Sequence, residues 1–289
     1  MNELIAPALE ELALESHDGV VLRVYRSLPA PDKPPLLIVL PATTTVALIG
    51  AAVERLARSF NVITWETRLV LDPTAVADET AAMSLRANVG DLERVFRSFA
   101  LSRAYLIGYC TGAPVALHAA AAHPGWFRKL ALVAGSYFLQ PGECELTQHE
   151  RDILKIMPHI AAGEKNAAAL SKTFVYLRDT GKLQGDAFAL ETYRPFYTGR
   201  SLHRLGLLVD DLIRNPIHAV AREVALPVLV AAGEDDAQTH CASSVLLETE
   251  LPDAELYLDD GDHYAFCRGE ARLMERIAAY FGEVENDGR

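Results

Sequence analysis

The chain has 289 residues, half of them hydrophobic, with a formal net charge of -12 and a pI near 5.2. That length suits one α/β domain carrying an insertion, with enough apolar residues for a large core. The acidic balance, with no basic stripe to neutralise phosphates, argues against a nucleic-acid partner and against anionic membrane surfaces.

Short apolar runs alternate with helical patterns, which predicts a mostly parallel central sheet flanked by helices. Two opening strands are expected at Leu12–Glu15 and Val20–Tyr25, joined by the turn His17-Asp18-Gly19. Leu36–Leu40 reads as a buried strand, Ala47–Phe60 as a helix and Val62–Trp65 as a strand. Ala81–Phe99 has Leu85, Val89, Leu92, Val95, Phe96 and Phe99 on one helical face. A strand at Ala104–Gly108, an alanine-rich helix at Thr111–Ala122 and a strand at Leu130–Ala134 follow.

From about Tyr137 to Val220 the pattern is helical and shows no clear strand. Thr147-Gln148-His149-Glu150 fits a capping box, and Ala167–Leu177 and Leu202–Ile213 read as helices. Strands return at Val228–Ala232 and Ala254–Leu258, and Glu270–Phe281 closes the chain as a helix before a polar tail from Glu283. The expected organisation is a core of residues 1–136 and 221–289, interrupted by a helical lid of residues 137–220. Such a lid would lie over the carboxyl ends of the strands, where open α/β sheets bind ligands.

The strand Ala104–Ile107 runs into Gly108-Tyr109-Cys110-Thr111-Gly112 and then a helix. Strand, Gly-x-nucleophile-x-Gly and helix is the context of a nucleophile elbow. Cys110 is the expected nucleophile, and the Thr111 backbone N–H at the helix start is one expected oxyanion donor. A thiol needs a base, and the base needs an orienting carboxylate. The run Val228–Ala232 leads into Gly233-Glu234-Asp235-Asp236, which selects Asp236, with Asp235 the neighbouring alternative. The last strand leads through Asp259-Asp260-Gly261-Asp262 to His263, the one histidine placed before the closing helix. The second oxyanion donor is expected after the early strand, at Thr43, with Ala42 next in line. Tyr109, Ala42 and the aromatic residues Phe174, Phe196 and Tyr197 are candidate substrate contacts; packing of the lid on the core explains the aromatics equally well.

Cys144, Cys241 and Cys267 complete the cysteines, without a CxxC pair or zinc spacing. Met1–Leu12 lacks the pattern of a signal peptide, and no apolar run has membrane-span length. A reducing, cytoplasmic setting is therefore expected. No Gly-rich phosphate loop follows the first strand and no metal-ligand set is visible, so no cofactor is expected.

These motifs resemble the α/β-hydrolase superfamily over nearly the whole chain. The likeness is carried by Asp91-Leu92, the block Ala104–Leu117, His123-Pro124, Leu130-Ala131-Leu132, Gly233–Asp236 and Gly261-Asp262-His263. Two departures stand out: cysteine replaces the usual serine, and Pro41-Ala42 replaces the usual His-Gly. The Cys elbow is similar to that of dienelactone hydrolases, which lack a long helical insertion. Thioesterase-like enzymes of natural-product assembly are similar in their chemistry.

A Cys-His-Asp triad implies a thioester intermediate, and a lid that excludes water favours its capture by other nucleophiles. The expected activity is acyl transfer, cyclisation or hydrolysis of an ester or thioester on a small-molecule acyl substrate, with a carrier-protein or coenzyme A thioester as a possible donor. Two alternatives stand beside it: a non-hydrolytic acid–base enzyme such as an epimerase, lyase or cyclase, and a catalytically weak ligand-binding pseudo-hydrolase.

Overall fold

The structure is a computed structural model, in which residues 9–282 are described. Residues 1–8 of the N-terminal segment and the tail from Glu283 lie outside the described residues.

Strands β1 (Leu9–Glu15) and β2 (Val21–Ser27) form an antiparallel hairpin turned at Gly19, whose φ of 85° suits a residue without a Cβ. The pairing starts earlier than the apolar pattern suggested, because β1 lies at the sheet margin and alternates instead of forming an apolar run. Then come β3 (Pro35–Val39), β4 (Asn61–Trp65), β5 (Ala104–Tyr109), β6 (Phe127–Val133), β7 (Val228–Gly233) and β8 (Ala254–Asp259). The eight strands lie in the order β1-β2-β4-β3-β5-β6-β7-β8. All pairings from β4 through β8 are parallel.

Successive residues of a strand face opposite sides of the sheet, and both sides here are covered. Leu37, Val39, Leu106, Leu130 and Val230 enter one core; Leu36, Ile38, Ile107, Ala131 and Leu229 enter the other. This two-sided burial is why these strands read as continuous apolar runs.

The helices are α1 (Gly50–Leu56), α2 (Glu79–Ala82), α3 (Leu85–Ser98), α4 (Gly112–Ala122), α5 (Gln148–Ala161), α6 (Glu164–Asp179), α7 (Ala187–Thr192), α8 (Gly199–Arg214), α9 (Ile217–Glu223), α10 (Cys241–Glu250) and α11 (Ala271–Gly282). The helix expected over residues 47–60 is a 3-10 turn at Val46–Ile49 followed by the short α1. The helix expected over residues 81–99 is broken in two. Ser84 starts α3, its hydroxyl accepting the Ala87 N–H at 3.1 Å, so a cap overrides the continuous apolar stripe. Helix α10 had no apolar signature, because its buried face contains Ser243 and Ser244 beside Leu247.

Between β6 and β7 the chain passes through α5–α9 and a 3-10 turn at Arg194–Tyr197. Helix α8 packs on α5 and α6, whereas α9 packs on α4 and α10. A boundary at residue 220 therefore falls inside α9, a helix that contacts the core.

Candidate active site

Strand β5 sits near the middle of the sheet and ends at the elbow. Cys110 holds φ at 51°, a left-handed conformation that costs a non-glycine residue energy and lifts its side chain above the strand ends. The turn survives because its flanks are glycines. A Cβ on Gly108 would lie 2.7 Å from the Ala113 Cα and from the Ala116 Cβ. A Cβ on Gly112 would collide with the backbone carbonyl of Val39. The Cys110 amide donates to the Val133 carbonyl at 3.0 Å, and the Cys110 carbonyl accepts from Ala113 and Ser136 at 3.0 and 3.1 Å. The thiol stays partly accessible, with its sulfur 3.3 Å from the Ser136 hydroxyl.

The loop after β7 places Asp236 against His263, which the loop after β8 supplies. The His263 Nδ1 lies 2.7 Å from Asp236 Oδ2, and both residues are buried. The same Oδ2 accepts the Thr239 hydroxyl at 2.8 Å, while Oδ1 accepts the amides of Gln238 and Thr239 at 2.7 and 2.9 Å. Burial acts to raise the Asp236 pKa, but His263 and these amides outweigh it and hold the carboxyl below its ordinary value. Burial likewise works against the imidazolium of His263. The charges and hydrogen bonds of Cys110 and Asp236 outweigh it and push the His263 pKa up. The imidazole is thus held by Asp236 on one side and feels the Cys110 thiol as a favourable charge partner. Asp235 is exposed and takes no part in the contact to His263.

On the other side of the thiol, the Ala42 amide donates to the Thr111 Oγ1 at 2.8 Å. This contact ties the loop after β3 to the elbow and consumes the Ala42 N–H. Among the described residues, no hydrogen bond engages the amides of Thr43 or Thr111, and both residues line the cavity with Cys110. Two open donors lining one cavity with a thiol have the composition that an oxyanion site requires.

The cavity has a volume of about 210 Å³. Its floor holds Thr43, Cys110, Thr111 and Ser136; the inserted segment contributes an apolar wall that includes Ile153, Leu154, Met157, Leu205 and Val209. Phe196 reaches the wall as expected. The other four expected substrate contacts do not. Ala42 is buried in the core. Tyr109 is buried too, and its hydroxyl donates to the His263 carbonyl at 2.9 Å, so it braces the histidine from behind. Phe174 packs against Tyr193 and Phe196, and Tyr197 lies under the Arg178 guanidinium. An aromatic residue in an inserted helix has no sequence mark that separates packing from lining.

Sequence reasoning missed Ser136, Glu150, Gln238 and Tyr264 in the cavity wall, and left His149 among the unassigned insertion histidines. Burial and the nearby His263 push the pKa of His149 down. Glu150 was legible only as a capping-box residue, which it is: its carboxylate accepts the Thr147 amide at 2.7 Å.

Among the described residues no His/Cys/Asp/Glu group is arranged to hold a metal ion, and no helix is long and apolar enough to cross a membrane. No family model matches the sequence. Solved structures similar to it include a hydrolase from Pseudomonas aeruginosa PA01, with TM-score 0.72 and 19% identity over 96% of this chain and 100% of the other. An esterase from Rhodococcus sp. ECU1013 gives TM-score 0.69 and 18% identity over 96% and 100% of the two chains. A bromoperoxidase from Bacillus anthracis gives TM-score 0.72 and 13% identity over 94% and 99%. These likenesses establish the α/β-hydrolase fold. A curated relative is more similar in sequence: the L-allo-isoleucyltransferase of Pseudomonas savastanoi pv. glycinea is 31% identical over 243 residues, spanning 82% of this chain and 83% of the relative. The chain therefore belongs to the family of this L-allo-isoleucyltransferase, built on the α/β-hydrolase fold.

Proposed function

We propose that the protein is an aminoacyltransferase that carries its acyl group as a thioester on Cys110. The observation that carries this reading is a partly accessible thiol and two open backbone amides lining one cavity, with a buried His263–Asp236 pair held by loops whose Gln238 and Tyr264 line the same cavity. In the first half-reaction His263 takes the Cys110 proton, and the thiolate attacks the carbonyl carbon of an acyl thioester. The amides of Thr43 and Thr111 hold the oxyanion. The tetrahedral adduct collapses by breaking the donor carbon–sulfur bond, and the imidazolium returns its proton to the departing thiolate. In the second half-reaction His263 deprotonates an acceptor thiol, which takes the acyl group and restores Cys110. One thioester is exchanged for another in each half, so the transfer needs no energy input.

Residues 137–220 serve as the lid in this reading, keeping water from the acyl-enzyme. The donor and acceptor are thiol carriers such as a carrier protein or coenzyme A. The group named for the relative, L-allo-isoleucyl, has a small apolar side chain. A cavity of about 210 Å³ walled by aliphatic side chains suits such a group better than a long lipid chain.

The test is incubation with L-valyl- and L-isoleucyl-N-acetylcysteamine, followed by intact mass measurement and peptide mapping. The expected result is an aminoacyl adduct on Cys110 that is absent from Cys110→Ala and is discharged faster by added pantetheine than by water. No adduct from any thioester, together with an iodoacetamide-inert Cys110 at neutral pH, would sink the proposal. Discharge to water alone would make the enzyme a hydrolase.

A further inference from the structure

The cavity wall contains one formal charge that the transfer chemistry does not use. Among the described residues, Glu150, in the first turn of α5, is its sole acid, and no lysine or arginine lines the cavity. A carboxylate among Ile153, Leu154, Met157 and Phe138 is expensive to keep ionised without a cation. Burial accordingly raises its pKa, against the hydrogen bonds from Thr147 and His240.

Those hydrogen bonds fall on one oxygen. Glu150 Oε2 accepts the backbone amides of Thr147 at 2.7 Å and of His240 at 3.1 Å. Among the described residues, no hydrogen bond reaches Oε1. The first oxygen fixes the side chain to the start of α5 and to the loop that carries Asp236. The second is left for whatever occupies the cavity. Helix capping explains the first oxygen and not the second.

We infer that Glu150 is the specificity residue that receives the free α-ammonium group of an aminoacyl substrate. The inference rests on the acyl-transfer reading of Cys110. It selects aminoacyl thioesters with an unmodified amino group and a small apolar side chain, and it excludes plain fatty acyl groups of the same shape. The ammonium supplies the counter-charge that the cavity lacks, and the aliphatic wall takes the side chain. A des-amino acyl group would leave the carboxylate desolvated and unpaired.

Glu150→Gln is the diagnostic variant, because the glutamine oxygen keeps the capping-box acceptor while the charge is removed and the free acceptor becomes an NH2 donor. Loading of Cys110 is compared for L-valyl- and 3-methylbutanoyl-N-acetylcysteamine, which differ by the amino group alone. The parent enzyme should prefer the valyl donor by about tenfold or more in kcat/KM, the weight of one charge-assisted hydrogen bond. Glu150→Gln should lose that preference, with KM for the valyl donor raised and 3-methylbutanoyl loading not slowed, because no unpaired carboxylate is then buried beside it. Equal use of both donors by the parent enzyme, or an equal loss on both in the variant, would overturn the inference and leave Cys110 transfer standing. If neither thioester loads Cys110, the transfer reading fails, and calorimetric binding of L-valinamide decides the present point separately. Saturable binding weakened about tenfold in Glu150→Gln would support it, and binding that is undetectable or indifferent to the variant would overturn it.

Discussion

Asp236 spends all its hydrogen-bonding capacity on one loop and one imidazole. Three contacts from Thr239 and Gln238 fix the carboxylate, and the fourth orients His263. Asp236→Asn keeps the shape but removes the charge that stabilises the imidazolium. Acyl loading, followed by stopped-flow mass analysis, should fall by on the order of 10²–10⁴. The pair also has a pH signature in stability. The carboxyl is depressed, so its contribution is present above the unfolded value of 3.8 and is lost as pH falls through the folded value. The imidazole is raised, so its contribution is full below 6.5 and is lost as pH rises through the folded value. The stability gap between the parent and Asp236→Asn should therefore be widest between those two values, and it is measured by urea unfolding at a series of pH. Thr111 offers a second residue-scale test. Thr111→Val leaves the buried Ala42 amide without its acceptor. A loss of about 1–3 kcal/mol in urea unfolding is expected, with slower loading because the Thr43 loop is no longer tied to the elbow.

At the scale of elements, the elbow is held by strand-to-helix spacing. Gly112→Ala drives a methyl group into the Val39 carbonyl, part of a strand that cannot retreat. A loss of about 1–3 kcal/mol is expected, with poor loading of Cys110. Gly125→Ala, where nothing lies within 4 Å of an added Cβ, is the control, with an effect within about 0.5 kcal/mol. The same contrast explains which elements were legible. The core strands are buried on both faces and announce themselves as apolar runs. The amphipathic α8 was found because Leu202, Leu205, Leu208, Val209 and Leu212 share a buried face. Helix α10 was not, because two buried serines interrupt its stripe. The break between α2 and α3 was missed because a serine cap is a two-atom event inside an unbroken apolar period.

Across the whole molecule, the placement of Cys110, Asp236 and His263 was readable because each residue follows the carboxyl end of a parallel strand of one sheet. The cavity wall was not, because it depends on how inserted helices dock, and docking leaves no local mark. Arg204 is the clearest case. It lies on α8, fully buried, and donates to the carbonyls of Leu69, Asp72 and Thr74 and to Glu79. This one side chain ties the insertion to the segment after β4. Arg204→Met keeps the aliphatic bulk and strips the donors. Stability should fall by roughly 3 kcal/mol, toward the lower end for a broken buried pair because Glu79 retains some contact with water. Hydrogen exchange should rise in α8 and in residues 69–79, and discharge of the acyl-enzyme to water should speed up relative to thiol. Exchange unchanged in α8 would show that Arg204 does not hold the insertion down.

The first turn of α5 has a further consequence. The Thr147 hydroxyl donates to the Gln238 carbonyl at 2.9 Å, and the Gln238 amide donates to Asp236. The first turn of α5 and the loop of Asp236 thus meet at two points, Gln238 here and His240 through the Glu150 carboxylate. A shift of α5 that keeps these bonds would carry with it the loop that holds Asp236 against His263. Under the proposed transfer, admission of substrate and readiness of the base would then be one movement.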